Sequence, residues 1–155
     1  MNPITGQSAA TEVRDTVAGW TGVEVHPHRF GGLEYQLSGI ELGHLHGSRL
    51  LDVPFTKKVR DLLVSDDLAA EHHILKDSGW ISFYLKGPED AAHAVWLLRL
   101  SYLYRAATLI GKKNKNAPLS FEEVEREVES LELPPRLADL FAGLLERRRP
   151  TTNVS

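Results

Sequence analysis

Residues 33–46 read LEYQLSGIELGHLH, and their alternation of apolar and polar side chains is typical of β-strands. Leu33, Tyr35 and Leu37 fall on one face of an extended segment. A tight connection at residues 38–39 follows, because serine and glycine are common in hairpin turns. The alternation then resumes, since Ile40, Leu42, His44 and His46 alternate with Glu41, Gly43 and Leu45. These residues predict one antiparallel hairpin.

Further elements are predicted outward from this hairpin. On its N-terminal side, Ser8 is the predicted N-cap of a short helix that ends before Gly19. On its C-terminal side, residues 50–53 suit a strand that Pro54 ends, and Thr56 caps a helix. The alternating residues 80–85 predict another strand.

The C-terminal half of the chain is predicted to be helical. Pro88 and Gly111 bound a long helix that carries apolar or aromatic groups around nearly its whole circumference. Ser120 and Glu123 form a capping box for the next helix. A last helix follows Pro135, and its strong apolar face could seal the domain or a homodimer.

The fold class that follows is α+β, with a single antiparallel sheet, a long buried helix across one face and two additional C-terminal helices. We expect a flexible N-terminus over residues 1–8 and one domain over residues 9–149. Within that domain residues 119–149 form the C-terminal helical pair, and residues 150–155 are expected to be a disordered tail.

Composition excludes several classes of function. The chain has 155 residues, no cysteine and a formal net charge of −3. Thiolate nucleophiles and cysteine-ligated metal sites are therefore excluded, and general affinity for nucleic acid is disfavoured. The first ten residues lack the pattern of a signal peptide, and no apolar run reaches membrane-spanning length. We expect a cytoplasmic protein with no membrane partner.

Six of the seven histidines form three pairs, which are His26 with His28, His44 with His46, and His72 with His73. A spacing of two puts both imidazoles of a strand pair on one sheet face. Such imidazoles can deprotonate an enol or phenol and stabilise the oxyanion that results. We therefore predict a small-molecule ligand and no cofactor.

Two alternatives stay open for these histidines. In the first, His26, His28, His44 and His46 bind a transition metal, together with a carboxylate such as Glu24 or Glu41. In the second, half-buried histidines simply satisfy backbone carbonyls at strand ends. In the catalytic interpretation, three further side chains could orient the substrate, namely Arg29, Asp52 and Tyr84.

Ordered motifs carry a resemblance to a known family. They are HPHRFGG at residues 26–32, ELGHLHG at 41–47, DVPF at 52–55, DSGW at 77–80 and LLRLSY at 97–102. Over residues 20–105 the chain resembles the luciferase-domain family, which includes fungal luciferase and many uncharacterised bacterial proteins. The resemblance implies oxygenation of a hydroxylated pyrone by molecular oxygen, without an established metal or flavin. It also implies a set of site positions: His26, His28, Arg29, His44, His46, Asp52 and Trp80.

A second resemblance is architectural. The order of helix, hairpin, strand, helix, tryptophan-bearing strand and long helix looks like the MmcQ/YjbR type of small α+β domain. Such a domain implies a non-catalytic protein- or nucleic-acid-interaction module. The histidine pairs and the two extra C-terminal helices depart from that type.

Overall fold

A computed structural model describes residues 6–28 and 31–151, with side chains from Ser8 onward. Its strands are β1 (Val23–Pro27), β2 (Leu33–Leu37), β3 (Ile40–His46), β4 (Leu50–Pro54), β5 (Ala70–Glu71) and β6 (Trp80–Tyr84). Its helices are α1 (Gly6–Ala18), α2 (Lys57–Ser65), α3 (Asp90–Gly111), α4 (Phe121–Ser130) and α5 (Pro135–Arg148).

The strands form one six-stranded sheet in the order β1-β2-β3-β4-β6-β5, with every pair antiparallel. The predicted α+β fold class is confirmed, including the hairpin, the long helix and the two C-terminal helices. The predicted N-cap at Ser8 is wrong, because α1 already begins at Gly6. Ser8 is exposed there, where a helix tolerates serine at little cost.

The two faces of the sheet differ in chemistry, because directly opposed residues of antiparallel strands project to the same side. The apolar face is defined by Leu33, Tyr35, Leu37, Leu45, Leu51, Val53 and Ile81. The polar face is defined by Glu34, Gln36, Glu41, His44, His46, Asp52 and Ser82. On the polar face, Glu34, His44, Asp52 and Ser82 lie opposite one another in a single row across four strands.

Helix α3 covers the apolar face and approaches it closely at Gly43. A Cβ atom at this position would lie 2.7 Å from Leu98 Cδ2 and 3.0 Å from Asp52 O, so a larger residue would force the neighbouring atoms to shift. Eleven residues of α3 are buried, as its apolar circumference predicts. Helices α1, α4 and α5 pack against it on its other sides.

A β-bulge at Leu42 interrupts the alternation of β3. The pairing with β2 passes from Gln36↔Glu41 to Tyr35↔Gly43, which leaves Leu42 without an opposed residue. Its carbonyl accepts a hydrogen bond from Ser101 Oγ at 2.8 Å. The bulge puts Glu41 on the same face as His44, whereas unbroken alternation would place them on opposite faces.

The C-terminal helices close the domain on the side of α3 away from the sheet. Ser120 and Glu123 form the predicted capping box at the start of α4. In α5 the apolar stripe is buried within the chain, with Leu137 and Phe141 almost inaccessible. The indole of Trp96 donates to Leu131 O at 3.1 Å and ties α3 to the end of α4. Among the described residues, every helix is too short or too polar to cross a membrane.

Candidate functional site

Five imidazoles meet on the polar face, and four of them contact one carboxylate. We call this group the histidine cluster, and its members are His28, His44, His46, His72 and His73 around Asp52. Its ring centroids are close: 3.9 Å for His28 and His44, 4.5 Å for His44 and His46, 5.8 Å for His46 and His73, and 4.2 Å for His72 and His73. Rings from three separate stretches of chain therefore converge on one place.

Asp52 is the buried centre of the cluster, with no exposed side-chain surface. Its Oδ2 lies 2.8 Å from His46 Nε2, 3.4 Å from His44 Nε2 and 3.3 Å from His72 Nε2. Its Oδ1 accepts a 2.6 Å hydrogen bond from Ser82 Oγ. Burial alone would raise the pKa of this carboxyl, but hydrogen bonds from His44 and Ser82 and the nearby imidazoles outweigh it and lower the pKa to about 2.

His44 is held between two carboxylates. Its Nδ1 lies 2.5 Å from Glu41 Oε2, a contact that depends on the bulge at Leu42, and its Nε2 faces Asp52 and His46. Burial would lower the pKa of His44, but the hydrogen bonds and charges of Asp52 and Glu41 dominate and raise it to about 9. The carboxylate oxygen of Glu41 accepts this hydrogen bond from the Nδ1 of His44.

His72 is fixed in one tautomer by the backbone. Its Nδ1 accepts hydrogen bonds from the N–H groups of Ile74 and Leu75, at 3.1 and 2.9 Å. A neutral imidazole then carries its hydrogen on Nε2, which points at Asp52. Burial is the largest influence on His72 and lowers its pKa, which favours this neutral form.

The more exposed members of the cluster face solvent. His28 Nδ1 lies 3.0 Å from Glu34 Oε1, and its ring stacks on that of His44. Burial would raise the pKa of Glu34, but hydrogen bonds from Gln36 and His28 together lower it, so Glu34 is ionised. Side-chain exposure is 20% for His28, 31% for His46 and 30% for His73, against 8% for His44. An incoming molecule therefore meets these three imidazoles first.

The predicted site residues are partly brought together. Trp80 borders the cluster, with its ring 5.4 Å from that of His44. His26 lies on β1 and contacts Glu24 at 3.0 Å, outside the cluster. Tyr84 is exposed further along β6. Arg29 lies outside the described residues.

Several cluster members were missed by the sequence analysis as site residues. His72 and His73 were noticed as a pair, but only the strand order β4-β6-β5 brings them to Asp52. Glu34 and Ser82 gave no signal beyond being polar residues in strands, and Glu41 was named only as a possible metal ligand. The spacing of Glu41 from His44 was misleading because the bulge was not predicted.

Two overlapping groups of side chains in the cluster offer convergent ligand atoms for a metal ion. One is His44, His46 and Asp52, and the other is Asp52, His72 and His73, each with its ligand atoms within 4.8 Å of one another. A cavity of about 490 Å³ also borders Ser82, and Leu68, Phe83, Tyr84 and His93 contribute to its lining. The cluster thus offers acid–base groups and ligand atoms, and Ser82 is the one residue that the cavity lining shares with the partners of Asp52.

Comparison with known families returned one match. Residues 39–101, less than half of the chain, match the family model described as Luciferase domain. This confirms the resemblance to the luciferase-domain family over a segment that contains Asp52 and four of the five cluster histidines. No curated protein and no solved structure matches the chain.

Proposed function

We propose that this luciferase-like domain binds a planar small molecule with an enolic or phenolic hydroxyl at the histidine cluster, and that it oxygenates this molecule with dioxygen. The observation that carries the proposal is the convergence of four imidazoles on the buried carboxylate of Asp52, with a fifth, His28, stacked on His44. The matched family supports a small-molecule ligand.

The contacts of the histidines favour a binding site over a purely structural role. Structural histidines commonly hydrogen-bond to the backbone, as His72 after β5 and His93 in α3 do here. His28, His44 and His46 instead contact side-chain carboxylates and one another. Polar networks of this density are costly to assemble in a core, and they concentrate at functional sites.

The pair formed by His28 and Glu34 suits a general base. Glu34 accepts from Nδ1 of His28, which leaves the lone pair on Nε2 available to take a proton from a substrate hydroxyl. Both residues are partly exposed, at 20% and 19% of their side chains, so a ligand can reach the imidazole. The stacked ring of His44 and the indole of Trp80 offer flat surfaces to a planar ligand.

The proposed reaction is balanced with dioxygen as the second substrate. His28 removes the hydroxyl proton and leaves an enolate, whose oxygen is stabilised at the centre formed by His44 and His46. The electron pair of the enolate forms a carbon–oxygen bond to dioxygen. The proton then returns from His28 to the terminal oxygen, which gives a hydroperoxide with no other reductant or oxidant.

Calorimetry with 4-hydroxy-6-methyl-2-pyrone as the probe tests the binding step, and an oxygen electrode tests the reaction. We expect the wild-type chain to bind the pyrone and consume oxygen, and His28→Ala to lower oxygen consumption at least tenfold. The matched control is His26→Ala, which removes an imidazole two residues away that contacts Glu24 outside the cluster. The proposal fails if the pyrone does not bind, or if both variants behave like wild type.

A further inference from the structure

We propose that His44 Nε2, His46 Nε2 and Asp52 Oδ2 are three ligands of one divalent transition-metal ion, bound on the polar face with its remaining positions open to small oxygen-donor molecules. The inference does not depend on the proposed oxygenation, because a metal site can serve other reactions. It rests on the separation of the three ligand atoms, the register of the two strands that carry them and the carboxylate of Glu41 behind His44.

The separations match those of ligands that share one ion. The two Nε2 atoms are 2.9 Å apart, and Asp52 Oδ2 lies 2.8 Å from His46 Nε2 and 3.4 Å from His44 Nε2. Ligands about 2.1 Å from a metal lie about 3.0 Å from one another when their bonds meet at right angles. Three such ligands occupy one triangular face of an octahedron, so three positions are left for other molecules.

The register of the sheet builds this arrangement. His44 and Asp52 are directly opposed on β3 and β4, and His46 follows His44 on the same face. The ligands therefore stand on two neighbouring strands whose positions are fixed by hydrogen bonds. A site on strands holds its ligands more rigidly than a site on loops.

The ring orientation of His44 is that of a metal ligand. Its Nδ1 donates to Glu41. A metal ion that displaces the proton from Nε2 would bind that nitrogen while Nδ1 keeps its hydrogen. A carboxylate behind a ligating imidazole is the usual second partner in metal sites. The Nε2 of His46 points at the same place, only 2.9 Å from that of His44.

Asp52 also offers the proposed ion a fully buried carboxylate. Each described ion-pair partner of Asp52 is a histidine, and none of the described pairs joins it to lysine or arginine. A metal ion would therefore not have to displace a lysine or arginine from this carboxylate. Ser82 and His72 donate to the same carboxylate and orient it.

His72 is excluded as a ligand, which limits the protein ligands to three. Its Nδ1 accepts from two backbone N–H groups, so its Nε2 carries a hydrogen and has no lone pair for a metal. The imidazoles and single carboxylate favour iron, cobalt, nickel or zinc over magnesium and calcium, which prefer oxygen ligands.

Cobalt(II) is the probe for this site, because its visible absorption reports coordination directly. The untagged full-length chain is stripped with EDTA, dialysed and titrated with cobalt(II), and bound metal is counted by elemental analysis. We expect one ion per chain. His44→Ala and His46→Ala should each weaken binding more than 100-fold, and Glu41→Gln about 10- to 100-fold.

The matched control is again His26→Ala, which keeps six histidines and should bind cobalt like wild type. Circular dichroism checks that each variant is folded, and His46→Gln replaces any alanine variant that is not. The inference is overturned if folded wild-type chain binds no cobalt, or if binding is unchanged in the folded His46 variant. Pyrone binding measured in EDTA separates this result from the proposed function, because that assay contains no metal.

Discussion

The two faces of the same four strands bury different kinds of side chain. On the apolar face, Leu51 and Val53 are fully buried against α3, and their role is explained by packing. On the polar face, one residue along the same strand, Asp52 is equally buried but is surrounded by imidazoles and a hydroxyl. Packing does not explain a buried carboxylate, so its retention indicates a function for that face.

Each face has one residue that tests this contrast. The hydroxyl of Tyr35 is buried on the apolar face and has no hydrogen-bond partner among the described residues. The carboxylate of Asp52 has at least three partners on the polar face. An unpaired polar atom costs stability, whereas a satisfied network can be kept for binding.

The largest expected effect is on the apolar face, for Leu51→Ala. Removing a fully buried leucine beneath α3 should lower the free energy of unfolding by about 2–5 kcal/mol, as measured by urea denaturation. Cobalt binding by the fraction that is still folded should be unchanged, because Leu51 projects away from the cluster. Loss of binding in folded Leu51→Ala would show that the two faces are not separable.

Ser101→Ala should lower the free energy of unfolding by less than Leu51→Ala does. It should also weaken cobalt binding on the polar face. It removes the hydrogen bond to Leu42 O and leaves the bulge carbonyl buried without this donor, which costs about 1–3 kcal/mol of unfolding free energy. Since the bulge positions Glu41 beside His44, cobalt affinity should fall as well. Unchanged affinity would show that the bulge does not position the cluster.

Tyr35→Phe tests the effect of the unpaired hydroxyl on the pH dependence of stability. Burial raises the pKa of Tyr35 from its ordinary value of 10.0 to about 12, so the folded state keeps the proton more tightly than the unfolded chain. The contribution of Tyr35 to the free energy of unfolding is therefore fully present below pH 10. It is lost as the pH rises toward 12, by about 1–3 kcal/mol.

The phenylalanine variant should lose less stability between pH 10 and 12 than wild type, when thermal unfolding is followed at both values. At neutral pH the free energy of unfolding of the variant should equal that of wild type or exceed it by up to about 1 kcal/mol, because the unpaired hydroxyl is gone. A destabilised variant at neutral pH would mean that the hydroxyl has a partner after all.

His46→Ala should have the smallest effect on folding and a large effect on binding. Its side chain is 31% exposed at the solvent side of the cluster, so the free energy of unfolding of metal-free protein should change by less than about 1 kcal/mol. Affinity for cobalt should fall by more than 100-fold. A change in the free energy of unfolding of several kcal/mol without loss of cobalt affinity would show that the cluster has a structural role.

Much of the fold was predictable from local pattern. The hairpin was predicted from the alternation of apolar and polar residues and from the Ser38-Gly39 turn. Helix α3 was predicted from the residues that bound it, Pro88 and Gly111, and from its continuous apolar character. The bulge at Leu42 was not predictable, because it depends on Ser101, which lies 59 positions away in the sequence. The strand β5 has only two residues and therefore no periodicity to read.

The candidate site was predictable only in part, for the same reason. His44 and His46 follow from spacing within one strand, but their joining to His72 and Asp52 depends on long-range strand order. The pair of His26 and His28 was expected to act together, yet the structure separates them. His28 lies past the end of β1 and stacks on His44, while His26 stays on the exposed edge strand beside Glu24.

Imidazole nitrogen NMR during addition of the hydroxypyrone tests most directly whether the cluster is a binding centre. In ¹⁵N-histidine-labelled, metal-free protein, we expect the ring signals of His28, His44 and His46 to shift together at one saturating concentration. Those of His26 and His93, which lie outside the cluster, should stay in place. Equal shifts in all seven histidines, or none in the cluster, would contradict the account.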